Sequence, residues 1–281
     1  MKKILTLALA FVMLCTSVLA LASCGKTVEV KTIDIALTTE KYAYGVKKGD
    51  AELLASLNSF LADIQSNGTF EAIVNKYFGD GTPEGVTSAA KDDSKDQLIV
   101  ATNAAFKPFE YTEGNLYYGV DMEIMAAFAK SLNKELVIDD MNFDAVCTSV
   151  GSGLCDVAAA GLTIKPDREE ILDFSTSYYD ASQTLICLSD DNAFADCKTV
   201  EDMENVLKSL PQGTKIGVQS GTTGYYYVVG DADWDFPGFA NIDCKTYDNG
   251  AMAVQDLING NIDYVIIDDA PAKNIVASFN N

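Results

Sequence analysis

The chain has 281 residues, of which 48% are apolar and 10% aromatic, enough to fill the cores of one large or two medium domains. Its formal net charge of −21 disfavours binding to nucleic acid and to anionic lipid headgroups. The absence of histidine excludes His-dependent hydrolysis and most catalytic zinc sites. We therefore expect a globular protein with no catalytic residues, no metal and no other cofactor.

The first residues have the pattern of a secretory signal. Lys2 and Lys3 precede an apolar run over residues 4–21. The run ends in Leu-Ala-Ser-Cys at residues 21–24, which resembles the bacterial lipobox, where cleavage precedes a cysteine whose thiol carries a diacylglycerol. An ordinary signal peptide followed by a chance cysteine is the alternative.

The lipobox resemblance implies an order of processing and a location. Residues 1–23 would be the signal peptide, and residues 24–27 would hold the lipid anchor on Cys24. We therefore expect an extracytoplasmic protein that meets the membrane only through this lipid.

The next block predicts two strands and a helical pair. Residues 28–39 alternate in part and predict a strand, and residues 42–46 predict a second one. Apolar residues then recur at helical spacing over residues 53–64 and 70–78, with Asn67-Gly68 between the two runs. Both helices need a core to pack against.

Residues 81–97 are rich in Gly, Ser, Thr, Lys and Asp, with few apolar residues, which is typical of a flexible linker. After it, strands and helices alternate. Strands are predicted over residues 98–102, 135–138 and 157–160, and helices over residues 121–132 and 143–152. This alternation predicts an open α/β sheet, in which ligands bind at the carboxyl ends of the strands.

A strand over residues 184–188 precedes a second α/β series. Its strands are predicted over residues 215–218, 243–246 and 264–267, and its helices over residues 200–207, 222–229, 251–258 and 271–278. The chain therefore predicts two α/β lobes.

Five cysteines follow Cys24 in the chain: Cys147, Cys155, Cys187, Cys197 and Cys244. Their spacing matches neither a zinc ribbon nor a CxxC redox motif, and an odd number cannot all pair. We interpret them as structural residues, with a Cys187–Cys197 disulfide as an alternative.

Five stretches carry a resemblance to a known family. They are residues 101–111, 119–123, 156–179, 217–224 and 264–271. These stretches resemble the family 3 extracellular solute-binding proteins of amino acid importers. The resemblance implies a type II periplasmic-binding-protein fold, in which two α/β lobes joined by a two-stranded hinge enclose a ligand. It also implies capture of a free, polar amino acid and its delivery to the permease and ATPase of an ABC importer.

The order of the segments departs from the family. Residues 42–79 resemble the family's C-terminal tail but stand at the front, which indicates a circular permutation. Lobe 1 would then comprise residues 42–80 and 98–184, and lobe 2 residues 28–39 and 188–281, with crossings near residues 38–42 and 184–188. The rivals are a domain-swapped dimer and a fragment of a tandem array; we expect a monomer, which light scattering can check.

An amino acid zwitterion needs a cation for its carboxylate and an anion for its ammonium. By resemblance, the Arg168 guanidinium makes the bidentate carboxylate contact. A surface arginine beside Glu169 and Glu170 is the alternative. Asp269 is predicted to pair with the ammonium, with a helix N-cap as the alternative or additional role.

The remaining site residues follow from the same resemblance. The Gly161 carbonyl and the Thr163 hydroxyl are expected at the ligand's charged groups, and the backbone amides at Thr222 and Thr223 at its carboxylate. The ligand's apolar part and its side chain are assigned to Phe106, Phe143, Asn103 and Gln219, with Asp268 as a further candidate.

Two departures bear on specificity. Members that bind glutamine or basic amino acids often carry aspartate where Asn103 stands, and the glutamine-binding protein carries lysine and histidine where Gln219 and Asp268 stand. These differences argue against glutamine as the ligand. An enzyme on the same fold, similar to a dehydratase, and an amino acid sensor domain are the alternative functions.

Overall fold

The computed structural model describes residues 28–281, so the predicted signal peptide and Cys24 lie outside the described residues. The N-terminal part contains β1 (Val30–Ile33), β2 (Glu40–Tyr42), β3 (Gly45–Lys47), α1 (Ala51–Ser66) and α2 (Thr69–Phe78). The middle part contains β4 (Gln97–Thr102), β5 (Ala105–Phe106), β6 (Glu110–Glu113), β7 (Leu116–Tyr118), α3 (Val120–Ser131), β8 (Glu135–Asp140), α4 (Phe143–Gly151), β9 (Val157–Ala158), α5 (Pro166–Glu169), β10 (Leu172–Phe174) and β11 (Tyr179–Ala181). The C-terminal part contains β12 (Gln183–Leu188), α6 (Val200–Ser209), β13 (Thr214–Gln219), α7 (Thr223–Val229), β14 (Ile242–Tyr247), α8 (Gly250–Ile258), β15 (Tyr264–Asp268) and α9 (Asp269–Asn280).

Lobe 1 is built on a five-stranded sheet in the order β10-β3-β9-β4-β8. The strand β3, from the N-terminal part, pairs antiparallel with β10 on one side and with β9 on the other. The helix α1 buries Leu57, Leu61 and Ile64 in the same core that contains Leu98 and Phe128. The helical pair therefore packs against the sheet formed by the middle of the chain, because its apolar stripe has no other core to cover.

Lobe 2 is built on a second five-stranded sheet in the order β1-β12-β15-β13-β14. The strand β13 is parallel to both of its neighbours, β14 and β15. At one edge β1 pairs antiparallel with β12 over Val30–Ile33. Each sheet thus has three neighbouring parallel strands, β9, β4 and β8 in lobe 1 and β15, β13 and β14 in lobe 2, and two strands that pair antiparallel. The predicted two-lobed α/β fold is confirmed.

Two chain crossings connect the lobes. The strands β2 and β11 form a separate two-stranded antiparallel sheet between them. The first crossing includes β2, at Glu40–Tyr42. The second differs from the prediction, because residues 184–188 belong to β12, which is paired on both sides inside lobe 2. The crossing lies several residues earlier, at Tyr179–Ala181.

The predicted flexible linker is docked along lobe 1. Val86 exchanges two backbone hydrogen bonds with Tyr117, of 2.7 and 2.9 Å, and the Ala89 amide donates to the Leu136 carbonyl at 2.8 Å. The Val86 side chain is 9% exposed. The composition suggested a free linker, but its backbone groups find partners on the hairpin β6–β7 and on β8.

The five cysteines are free thiols, so the alternative of a Cys187–Cys197 disulfide is not realised. Cys187 lies in the core of lobe 2 and Cys155 in that of lobe 1. Within residues 28–281, no helix has both the length and the apolar character that crossing a membrane requires.

Candidate functional site

The carboxyl ends of the parallel strands from both lobes meet at one small cavity. Asn103 follows β4 in lobe 1, while Gln219 ends β13 and Asp268 ends β15 in lobe 2. The cavity has a volume of about 10 Å³, roughly the space of one water molecule. It is lined by Asn103, Phe106, Phe143, Gly161, Thr163, Arg168, Gln219, Thr222, Thr223 and Asp268. The structure therefore brings nine of the ten predicted ligand-binding residues together.

Arg168 is the only arginine in the chain, and it is buried at 6% exposure. It lies in the short helix α5, which starts at Pro166. Its Nη1 donates to the Thr163 carbonyl at 2.8 Å and its Nη2 to the Gly221 carbonyl at 3.1 Å. The guanidinium carbon lies 5.4 Å from the centre of the Phe143 ring. The alternative of a solvent-exposed arginine is thus excluded by the geometry.

Among residues 28–281 the buried guanidinium has no carboxylate partner. The salt bridges within residues 28–281 involve only lysines on the cationic side. Neutral carbonyls satisfy two of the five guanidinium N–H groups but leave the charge unbalanced. A buried cation is costly unless it is paired, so this position favours an anionic ligand group.

Two carboxyl groups lie together beside the same cavity. Glu40, in β2, is 4% exposed and Asp268 is 5% exposed. Glu40 accepts hydrogen bonds from the Thr163 hydroxyl at 2.6 Å and from the Gln183 amide at 3.1 Å. Asp268 accepts a hydrogen bond from the Tyr42 hydroxyl. Neither carboxyl forms a salt bridge with a lysine or arginine of the described chain, so the pair favours a cationic ligand group.

The electrostatics of the pair follow from this arrangement. Burial, followed by the nearby Glu40 carboxylate, raises the pKa of Asp268 to about 7. Two adjacent carboxylates with no cation repel each other, which favours a proton on one of them. An ammonium group bound to Asp268 from the cavity would replace this proton.

Asp269, the predicted ammonium partner, does not line the cavity. Its carboxylate forms an exposed ion pair with Lys273 at 2.8 Å, one turn along α9. The strand β15 extends to Asp268, and this last strand residue is the one that reaches the cavity. The prediction was therefore one residue too far along the chain. Asp268 is also the N-cap of α9, although its side chain makes no capping hydrogen bond.

The other predicted residues occupy the cavity walls. The Gln219 amide donates to the Asn103 Oδ1 at 2.9 Å, which joins the two lobes across the cavity. The Thr163 hydroxyl was predicted to contact the ligand directly, but in the structure it donates a hydrogen bond to Glu40. Thr222 caps α7 by accepting from the Tyr225 amide at 3.4 Å. Thr223 accepts from the Gln183 side chain at 2.9 Å.

Gly161 is held in place by a buried carboxyl group. Its amide donates to Asp121 Oδ2 at 3.0 Å, and its φ of +53° lies in the left-handed region. A Cβ at this position would lie 2.8 Å from the Phe106 ring. A glycine is required here because it lets Phe106 lie against the backbone at the cavity.

Sequence reasoning missed Glu40, Tyr42 and Gln183. The sequence did contain a signal that Glu40 is buried. Alternate residues of a strand lie on the same face, and Tyr42, two residues after Glu40, is an aromatic residue typical of a core. Both Glu40 and Tyr42 are buried, whereas Lys41 between them is exposed. Gln183 gave no such signal, because its partners are more than 35 residues away in the chain.

Two α/β lobes that enclose a polar cavity at a two-stranded crossing define a solute-binding protein of the type II periplasmic-binding fold. The model of the bacterial extracellular solute-binding proteins, family 3, matches residues 98–263, which is more than half of the chain. The chain belongs to this family.

Among its relatives, the arginine-binding extracellular protein ArtP of Bacillus subtilis is 33% identical over 138 residues, which are 49% of this chain and 49% of ArtP. The chain thus spans about half the length of this relative. An ancestral arginine-binding protein bound to arginine is similar with a TM-score of 0.56 and 31% identity, over 66% of this chain and 76% of that one. The ancestral amino acid-binding protein AncCDT-1, a precursor of cyclohexadienyl dehydratase, has a TM-score of 0.53 and 30% identity, over 66% and 75% of the two chains.

Proposed function

We propose that this protein captures a free polar α-amino acid between its lobes and delivers it to the permease and ATPase of an ABC importer. One observation carries the proposal. The cavity is lined by the buried Arg168 guanidinium and by the buried Asp268 carboxyl, which has Glu40 beside it, and none of the three forms a salt bridge within residues 28–281. The α-carboxylate and α-ammonium of an amino acid are complementary to these two groups.

The orientation of the ligand follows from the two charges. The α-carboxylate binds Arg168, whose planar fork suits two parallel hydrogen bonds. The α-ammonium binds Asp268, with Glu40 adding to the negative potential behind it. The ligand's side chain then extends toward Phe106, Phe143 and the two amides of Asn103 and Gln219, which also line the cavity.

The lobes must separate for the ligand to enter. Asn103 and Gln219 are hydrogen-bonded to each other across a cavity that accommodates about one water molecule. A ligand must break this hydrogen bond and replace it with bonds to its own side chain. This requirement favours a polar side chain, because an apolar one would leave two amides buried and unpaired.

A lipid anchor on Cys24 is part of the proposal and rests on the lipobox resemblance. The negative charge of the chain gives it no electrostatic attraction to anionic lipids, so the anchor alone would hold it at the membrane. We expect the wild-type protein in the membrane fraction of expressing cells and the Cys24→Ser variant in the released fraction. Equal distribution of the two would contradict lipidation at this residue.

We also propose that the chain is circularly permuted relative to its family. The family match starts at residue 98, whereas β3 and the helices α1 and α2, which precede it, complete lobe 1. In this arrangement a tether at Cys24 would lead into β1 of lobe 2 rather than into lobe 1.

Calorimetric titration with the twenty common amino acids tests the function. We expect saturable binding of a polar amino acid with one ligand per chain. As a matched control, the decarboxylated amine of the best ligand should not bind, because it lacks the group that pairs with Arg168. Recovery of the ligand unchanged after incubation argues against the dehydratase-like alternative. Failure of every amino acid to bind, or equal binding of the amine, would refute the proposal.

A further inference from the structure

A second charged cluster joins the lobes outside the cavity. Lys165, the residue before α5 in lobe 1, is 2% exposed. Its Nζ lies 2.8 Å from Asp231 Oδ2 and 2.8 Å from Asp233 Oδ2, both in the loop after α7 in lobe 2. Asp167 of lobe 1 lies 3.2 Å from the same nitrogen. These four residues are called the inter-lobe ion cluster below.

Aromatic rings from lobe 2 complete the surroundings of the ammonium group. The Nζ of Lys165 lies 4.6 Å from the centre of the Tyr226 ring and 5.9 Å from that of Trp234. Lobe 2 thus contributes two of the three carboxylates and both rings. An ammonium group in this setting is attracted by the ring faces as well as by the carboxylates.

The loop that carries the two aspartates is itself well defined. Asp231 exchanges two backbone hydrogen bonds with Phe236, of 2.8 and 3.0 Å. The Asp233 amide donates to Asp231 Oδ1 at 2.8 Å. Since these bonds lie entirely within lobe 2, the carboxylates are positioned before Lys165 arrives. Little ordering of the loop is then needed when the lobes meet.

The inter-lobe ion cluster opposes the electrostatic repulsion between the two lobes. Both lobes carry an excess of Asp and Glu over Lys and Arg, so closing them brings like charges together. Lys165 places a positive charge from lobe 1 among carboxylates of lobe 2. The contact exists only when the lobes are closed, because separating them removes Asp231 and Asp233 from the lysine.

We propose that the inter-lobe ion cluster stabilises the closed form and that Lys165 is a positioning residue for ligand retention. The second half of this statement rests on the proposed function, whereas the first does not. Lys165 does not line the ligand cavity, so its effect on the ligand is exerted through the closure of the lobes.

Lys165→Met tests the proposal, since methionine keeps an apolar stem and removes the charge. The matched control is Lys107→Met. The Nζ of Lys107 also lies near one carboxylate, Glu113 at 3.5 Å, and one ring, Tyr111 at 4.5 Å, but all three residues are in lobe 1. A second test variant, Asp231→Asn with Asp233→Asn, leaves Lys165 in place and removes its lobe 2 partners.

The first measurement is X-ray scattering of the protein without ligand. We expect a larger radius of gyration for Lys165→Met and for the double aspartate variant than for wild type and Lys107→Met. The second uses Trp234, the only tryptophan of the chain, as a fluorescent reporter in stopped-flow mixing with L-arginine as the probe, or with the best amino acid of the titration. The dissociation rate should rise at least about tenfold in Lys165→Met, with the association rate changed much less.

The outcomes separate the two proposals. Unchanged scattering and an unchanged dissociation rate in both test variants would overturn the role of the cluster. A larger radius of gyration in the test variants, together with no binding of any amino acid to wild type, would support the cluster and refute the proposed function. A lower thermal midpoint in Lys165→Met with unchanged scattering would assign Lys165 a purely structural role and also overturn the proposal.

Discussion

Replacement of Arg168 by methionine is expected to weaken amino acid binding by at least about thirtyfold. The variant removes the only guanidinium at the cavity and leaves the ligand carboxylate buried without a partner. Loss of one partner of a buried, hydrogen-bonded charge pair costs about 2–5 kcal/mol, which corresponds to a decrease in affinity of roughly thirtyfold to several thousandfold. Calorimetric titration with the best ligand of the amino acid panel measures this loss directly.

Stability distinguishes a ligand-binding role of Arg168 from a structural one. Without ligand the guanidinium is a buried charge with no counter-ion among residues 28–281, so its removal should not lower the free energy of unfolding. We expect urea denaturation of ligand-free Arg168→Met to give a midpoint equal to or above that of wild type. The matched variant Arg168→Lys keeps the positive charge but loses the planar guanidinium that makes two parallel hydrogen bonds. It should bind the amino acid at least about tenfold more weakly than wild type. Wild-type affinity in Arg168→Met would refute the assignment.

Replacement of Asp268 by asparagine is expected to weaken binding by roughly a hundredfold, because the ammonium then faces a neutral amide. Asp269 supplies the matched control on the adjacent position. Its carboxylate is partly exposed and paired with Lys273, so Asp269→Asn should bind as wild type does. The reverse result, with Asp269→Asn defective and Asp268→Asn normal, would show that the original sequence prediction was correct and the structural assignment wrong.

The raised pKa of Asp268 also predicts a pH dependence. Below about pH 7 the ligand-free protein carries a proton on this carboxyl, and binding of an ammonium group must release it. Affinity should therefore fall as the pH is lowered from 8 to 6, with proton release visible as a dependence of the binding heat on the ionisation heat of the buffer. Asp268→Asn should lose both effects.

The stability of the ligand-free protein should have the opposite dependence. The folded-state pKa of about 7 exceeds the ordinary value of 3.8, so between these values the folded protein binds more protons than the unfolded chain. The contribution of Asp268 to stability is therefore fully present below about pH 4 and is lost as the pH rises through 7. Urea denaturation of wild type and Asp268→Asn across this window measures the difference in slope.

The register of Asp268 and Asp269 illustrates a limit of sequence reasoning. Both aspartates follow an apolar run, and in the structure Asp268 ends β15 whereas Asp269 begins α9, which contains Pro271 in its first turn. Which of them faces the cavity depends on where β15 ends. Because successive residues of a strand point to opposite faces, an error of one residue exchanges a buried carboxyl for an exposed one.

Glu40 illustrates a second limit. Its position two residues before Tyr42 indicates burial, but its neighbours in space are Thr163 and Gln183, more than 120 residues away. Nothing in the local pattern of β2 identifies those neighbours. The same holds for Lys165, because its partners Asp231 and Asp233 lie in the other lobe.

The sequence by itself determined the two-lobed α/β fold, the helical pair of the N-terminal part and the group of residues around Arg168, because periodicity and the family motifs are local properties of the chain. The tertiary structure alone decided which carboxyl groups lie at the cavity, where the second crossing lies, that residues 86–89 are docked, and that Lys165 joins the lobes. Each of these depends on contacts between residues far apart in the chain, and the energy of a buried charge is set by those neighbours rather than by its own position in the sequence.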